Sequence, residues 1–173
     1  TYHGRFRSWD FIRGQEYDPW KAMVQPPLER LREKYNAKHY DFANSWKRLQ
    51  NAVNREYMVE EKDFCLPRCF ESAFEFLDTN RQADDWFLML ECFDPHEPFD
   101  TPDHYAKVTD PDWDGPPLIW PPYAKDAIKR GIISERQGRQ IRARYGAKLM
   151  MIDHWFGKVL DAIDARGLWD DTL

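Results

Sequence analysis

The stretch that most limits what this chain can fold into is "WFLMLECF", Trp86 to Phe93, a nearly unbroken apolar run with charge before it and a proline-rich segment after it. Such a run predicts a strand buried on both faces, as in the parallel sheet of an α/β domain. A parallel sheet needs several strands of this kind. No second run of comparable quality occurs among the 173 residues. A lone core strand is therefore expected to be part of a sheet completed by other segments.

The rest of the chain reads as helical. After Pro26 and Pro27, Leu28, Leu31, Tyr35, Phe42, Trp46, Leu49 and Val53 recur at steps of three, four or seven. That spacing is one helical face and predicts a long helix or two successive helices, with His39 near the face. "PRCFESAFEFLD" repeats the pattern through Phe70, Ala73, Phe74 and Leu77, with Pro67 suited to a first turn and an end near Asn80. Ser134 followed by Gln137 is a capping box. It opens a helix whose predicted buried stripe is Ile141, Tyr145, Leu149, Ile152, Phe156, Val159 and Ile163, with Gly167 as its C-cap. Gly146 and Gly157 weaken such a helix by roughly 1 kcal/mol each, so close packing is expected at both. Thr101 to Pro122, rich in Pro, Asp and Trp, reads as a long irregular excursion.

Immediately beyond the predicted strand lies "FDPHEPFDTP", Phe93 to Pro102. The C-terminal edge of strands is where open α/β sheets bind ligands, which makes His96 the main candidate catalytic and substrate-binding residue. Pro95 and Pro98 restrict the backbone on either side of it. The alternative is a loop histidine, paired with Asp94 or Glu97, that only shapes the turn.

Charge excludes some functions. With 25 Lys and Arg against 30 Asp and Glu, the formal net charge is -5, and the basic residues are scattered. No nucleic-acid face is expected, because neutralising phosphates requires clustered cations. Mean hydropathy of -0.80 and the lack of a long uncharged apolar run exclude a membrane span. Three cysteines, Cys65, Cys69 and Cys92, do not make a disulfide framework and read as packed thiols. No H-x-x-x-H, H-E-x-x-H, C-x-x-C or acidic calcium loop is present, so no metal ligand is assigned within the chain. His39, His104 and His154 read as structural or surface histidines.

Three segments together resemble a family. "WFLMLECFDPHEPFDTPDHY" is similar to the strand and Asp-Pro-His-x-Pro-aromatic segment of type-I sulfatases, the formylglycine-dependent, arylsulfatase-like members of the alkaline phosphatase superfamily. The matching positions are Asp94, Pro95, His96, Pro98, Phe99, Pro102 and Tyr105. The helix and turn through Tyr145, Asp153, Gly157, Leu160, Ile163, Gly167, Leu168 and Thr172 resemble a second family segment. "SWDFIRGQEYDPW", which begins at Ser8, resembles a third. The three occur in the family's order.

The resemblance implies a three-layer α/β/α sandwich around a mostly parallel sheet, of which residues 1–173 would be the helix-rich middle portion. It implies hydrolysis of a sulfate ester by a formylglycine, with a divalent cation, usually calcium, holding the ester oxygens. By the same resemblance, His96 would contact the sulfate or the leaving-group oxygen. On position alone, His3 and Arg13 are expected to approach the same pocket. The formylglycine motif, Cys-x-Pro-x-Arg, is not met by "CLPRC": Cys65 and Pro67 fit, but Cys69 stands where the arginine should be. Nucleophile and metal ligands are therefore expected outside this chain. The isolated piece is expected to be inactive and to self-associate or pair with the rest of its domain. The substrate would be a sulfate-ester small molecule or a sulfated sugar.

Two other readings are open. A phosphate or phosphonate ester hydrolase of the same superfamily would use similar segments. Alternatively, the 16% aromatic content and the "DPDWDGPPLIWPPY" loop would suit a non-catalytic carbohydrate-binding module. An exposed, coplanar Trp113 and Trp120 with His96 buried would favour the module, and an open His96 the enzyme.

Overall fold

The computed structural model describes residues 3–39, 42 and 45–172. Among the described residues, five α-helices carry the fold: α1 (Leu28–Glu33), α2 (Trp46–Arg55), α3 (Cys65–Thr79), α4 (Asp103–Thr109) and α5 (Glu135–Arg166). Short 3-10 turns lie at His3–Arg5, Ala37–His39, Glu61–Asp63 and Trp169–Asp171. The expected first helical region is thus two helices with a turn between them, and 40, 41, 43 and 44 lie outside the described residues.

Local signals account for α5, the longest element at 32 residues. The Ser134 hydroxyl accepts from Gln137 N at 3.1 Å, and the Gln137 side chain accepts from Ser134 N at 2.9 Å, so two otherwise orphaned donors are satisfied. Gly167 ends the helix in the left-handed region, φ +62, with Leu168 N bonded back to Ile163 O at 3.1 Å. That closure needs a residue without a Cβ penalty at positive φ.

The buried stripe of α5 is displaced from the one hydrophobicity predicts. Ile141, Arg144, Ala147, Lys148, Met151 and Trp155 are buried, whereas Tyr145, Leu149 and Phe156 are exposed. Two cations take core positions because each faces a carboxylate of the loop that follows Phe93, Lys148 facing Asp94 and Arg144 facing Asp100. Gly146 and Gly157 do not mark close packing either. The nearest atom to a Cβ at Gly146 would be Thr109 Cγ2 at 3.8 Å, and nothing lies within 4 Å of one at Gly157.

Helix α5 packs on α3 and α4, and Leu66, Phe70, Tyr105, Ala147, Met151 and Trp155 form the core between them. A second core joins Leu31, Tyr35, Phe42, Ala52 and Val53 to Ile119. A third gathers Leu118, Ile133 and Ile141. The long excursion after Thr101 is more ordered than expected: it contains α4, and Leu118 and Ile119 are fully buried. Gln140, itself buried, accepts from Leu118 N at 3.1 Å and so pins the excursion to α5.

The segment from Trp86 to Phe93 is extended but has no hydrogen-bonded strand partner among the described residues. Its burial alternates. Leu90 and Cys92 pack on the α3–α5 core, while Phe87, Met89 and Phe93 are exposed. One face of the segment is thus packed, and no layer covers the other, expected to be buried as well, among the described residues. Ser8 to Gly14 likewise forms neither helix nor ladder.

Candidate functional site

His96 sits in the loop that follows the extended segment, where the Asp94–Pro95 and Glu97–Pro98 peptide bonds are both cis. The loop is anchored at both ends by buried ion pairs to helices remote in sequence. At the first end, Asp94 pairs with Lys148 of α5, each side chain only 3% exposed. At the second, Asp100 pairs with Arg55 of α2, with Arg55 Nη2 donating to Asp100 Oδ1 at 2.6 Å. The Arg55 guanidinium also lies over the Tyr35 ring, 4.5 Å from its centroid. Buried charges persist only when paired and hydrogen-bonded, so these contacts fix the chain on either side of the imidazole. Arg144, also buried, faces the same carboxylate from α5, and burial lowers its pKa.

Between the anchors, His96 N donates to Phe93 O at 3.2 Å, and its ring packs against Phe93 with centroids 4.4 Å apart. His96 Nδ1 is 2.8 Å from Glu97 O. A carbonyl can only accept, so Nδ1 carries a proton and Nε2 is left to face a ligand. Nε2 makes no hydrogen bond to a described residue, and the side chain is 46% exposed. The pairing with Glu97 is also present, with Nδ1 3.4 Å from Glu97 Oε2, so the turn-shaping role and an uncommitted Nε2 coexist.

A third residue approaches from the N-terminal part of the chain. Glu16, at φ +52, lies with His96 and Glu97 so that one ligand atom from each falls within 4.8 Å of the others. Helix α2 places Glu16: the buried Asn51 donates to Glu16 O at 2.7 Å, and the buried Asn54 to Asp18 O at 2.8 Å. Gly14 opens this turn at φ +115, where a Cβ would meet Trp20 at 2.6 Å. Burial raises the Glu16 pKa, with His96 opposing and the like charge of Glu97 adding to it. Glu97 is further engaged by the Tyr123 hydroxyl. Sharing Glu16 with this group is a pocket lined also by Arg55, Cys65, Asp94, Asp100 and Lys148 among others; His96 and Glu97 do not line it.

Other sequence-predicted residues lie elsewhere. Arg13 is committed to Asp18 by two bonds of 2.7 and 2.8 Å and donates to Pro19 O. His3 stacks on Trp9 with centroids 4.6 Å apart. Neither lines that pocket. His39 is buried, His104 pairs with Glu61 at 3.2 Å, and His154 lies against Tyr105 and Trp155. Trp113 is half-buried against the third core with Arg136 over its ring at 4.7 Å, and Trp120 packs on the second, so the two present no open stacking platform. "CLPRC" has the structural role expected for it. Cys65 opens α3 with its thiol 3.6 Å from Arg13 O, and Arg68 Nη1 donates to the same carbonyl at 3.0 Å. Burial pushes the Cys65 thiol up to about 12.

Residues 31–173 match the family model described as Sulfatase, and the chain belongs to the sulfatase family. No solved structure matches it. The calcium ion and formylglycine implied by the family resemblance find no seat among the described residues. Calcium takes six to eight oxygens, whereas the one three-residue donor group offers an imidazole and two glutamates, one already bonded to Tyr123. Cys65, buried and outside the required motif, does not suit conversion to an exposed nucleophile.

The residues missed from the sequence are Lys148, Arg55, Asn51, Asn54 and Glu16. Only one signal pointed to them: Arg144 and Lys148 interrupt the apolar pattern of α5 at helical spacing.

Proposed function

We propose that this chain is a section of the catalytic domain of a sulfatase-type hydrolase, in which His96 Nε2 contacts the sulfate or the leaving-group oxygen of a sulfate ester. The supporting observation is the imidazole itself, held through Nδ1 at the Glu97 carbonyl while the side chain is about half exposed and Nε2 is bonded to no described residue. Nδ1 being held, the ring cannot turn Nε2 away from an incoming anion without losing that bond. A protonated ring then donates through Nε2 to a sulfate oxygen or to the departing ester oxygen. Half-burial of the two tryptophans against cores supports the hydrolase over a sugar-stacking module.

The same reading takes Trp86–Phe93 as one strand of an α/β/α sandwich, its Phe87, Met89 and Phe93 face covered by further strands and helices. Nucleophile and cation ligands come from outside residues 1–173, so these residues alone turn over no ester.

The test is hydrolysis of an aryl sulfate by the full-length protein, with aryl phosphate and phosphonate esters alongside. His96→Ala is expected to lower kcat/KM on the sulfate by about two to four orders of magnitude with an unchanged melting temperature, the usual worth of a positioned acid. Wild-type turnover in the variant would leave His96 as a turn-shaping residue. Preference for the phosphorus esters would move the reading to a phosphate or phosphonate hydrolase.

A further inference from the structure

The turn from Gly14 to Asp18 is held from several directions. Gly14 N donates to Asp18 Oδ2 at 2.8 Å, and Arg13 closes on the same carboxylate. The buried Asn51 and Asn54 of α2 hold the carbonyls of Glu16 and Asp18. Together they fix Glu16 at φ +52, a left-handed backbone that a residue with a Cβ rarely adopts and glycine takes without strain. Such strain persists where the surroundings over-determine it, and it concentrates at functional sites. The Glu16 side chain makes no hydrogen bond to a described residue, so the fold gains no bond from it.

What the turn delivers is a carboxylate. One Glu16 oxygen lies within 4.8 Å of a His96 ring nitrogen and of a Glu97 carboxylate oxygen. Glu97 is already engaged by the Tyr123 hydroxyl, whereas the Glu16 carboxylate is uncommitted. Opposite charges at about 4–6 Å stabilise each other. We propose that Glu16 is a positioning residue that acts through His96, stabilising the positive charge on the ring while Nε2 donates to the ester; this rests on the role proposed above for His96.

The placement has a kinetic signature. A carboxylate beside an imidazole that receives an anionic ester repels that ester in the ground state. Removing its charge should therefore not weaken ester binding, while the step that needs a charged ring slows. A residue that merely shaped the loop would raise KM or lower the melting temperature when replaced.

The full-length wild type, Glu16→Gln, His96→Ala and the double variant would be compared on an aryl sulfate. Glu16→Gln is expected to lower kcat by about tenfold or more, with KM equal or lower. Added to His96→Ala, it should cause no further loss. Glu16→Gly, which relieves the positive φ, should lose the same activity yet melt at the wild-type temperature or up to about four degrees higher. Wild-type kcat in Glu16→Gln beside a crippled His96→Ala would overturn the proposal and leave the role of His96 standing. An equal loss in both backgrounds, or a Glu16→Gly that melts well below wild type, would overturn it too. Full activity in His96→Ala would remove both readings.

Discussion

Helix α5 and the loop around His96 are built on opposite plans. The helix carries its own instructions: a capping box at Ser134, a left-handed glycine at 167 and thirty-two residues of backbone hydrogen bonds between them. The loop has no regular structure, and its shape is imposed by residues far away in sequence, Lys148 at one end and Arg55 at the other. Local chemistry makes a helix wherever it is placed; a functional loop has to borrow its rigidity. What α5 lends is a cation, and the cost is a charged residue in its own buried stripe.

The sharpest way to break this contrast is to remove the loan. Lys148→Ala leaves Asp94 buried without a partner, and losing one member of a buried pair typically costs about 3–5 kcal/mol. Urea unfolding should show that loss, and kcat/KM of the full-length protein on an aryl sulfate should fall with it as the His96 loop loses its anchor. Replacing both members, Lys148→Met with Asp94→Asn, should recover much of the stability but not the activity, because the uncompensated charge is gone while the anchor is still absent. A single variant as stable as wild type would show that the loop holds itself.

His39 gives a second, smaller handle, from the region of α1 and α2 that supplies Arg55. Burial, helped by the charge of Arg48, lowers this imidazole to about 4 from an ordinary 6.5. The folded state thus resists a proton that the unfolded chain accepts, and unfolded protein binds more protons between those two values. Stability is therefore complete above pH 6.5 and declines as pH falls toward 4, by at most roughly 3 kcal/mol. Melts from pH 7.5 to 5 should show this slope in the wild type and a shallower one in His39→Gln. Parallel slopes would sever acid sensitivity from His39.

The same division decides what could be read in advance. Both caps of α5, the start of α3 near Pro67 and its end at Asn80 follow from neighbouring residues, and each was legible. The stripe of α5 was not. Tyr145, Leu149 and Phe156 looked like core by hydropathy, whereas Arg144 and Lys148 are buried because Asp94 and Asp100 are opposite them. A tertiary charge partner outweighs hydropathy, and its position is invisible along the chain. His96 could be picked out because prolines and a preceding apolar run are local; Glu16 could not, since it reaches the site only through Asn51 and Asn54 of α2.

The helix side of the comparison yields the smallest effect, and its sign separates local from tertiary control. Gly157 lies within α5 with no atom within 4 Å of the position a Cβ would take. If only the packing of its neighbours governed this helix, adding a methyl group to open space would change nothing. If intrinsic backbone preference also counts, Gly157→Ala removes conformational freedom from the unfolded chain and should stabilise the protein by roughly 1 kcal/mol. The expected readout is a melting temperature raised by a few degrees, with turnover of the aryl sulfate unchanged, since nothing in the His96 loop touches this turn of α5. A loss of stability would instead mean that some other surface packs against Gly157, and the self-sufficiency ascribed to the helix would then end before its last two turns.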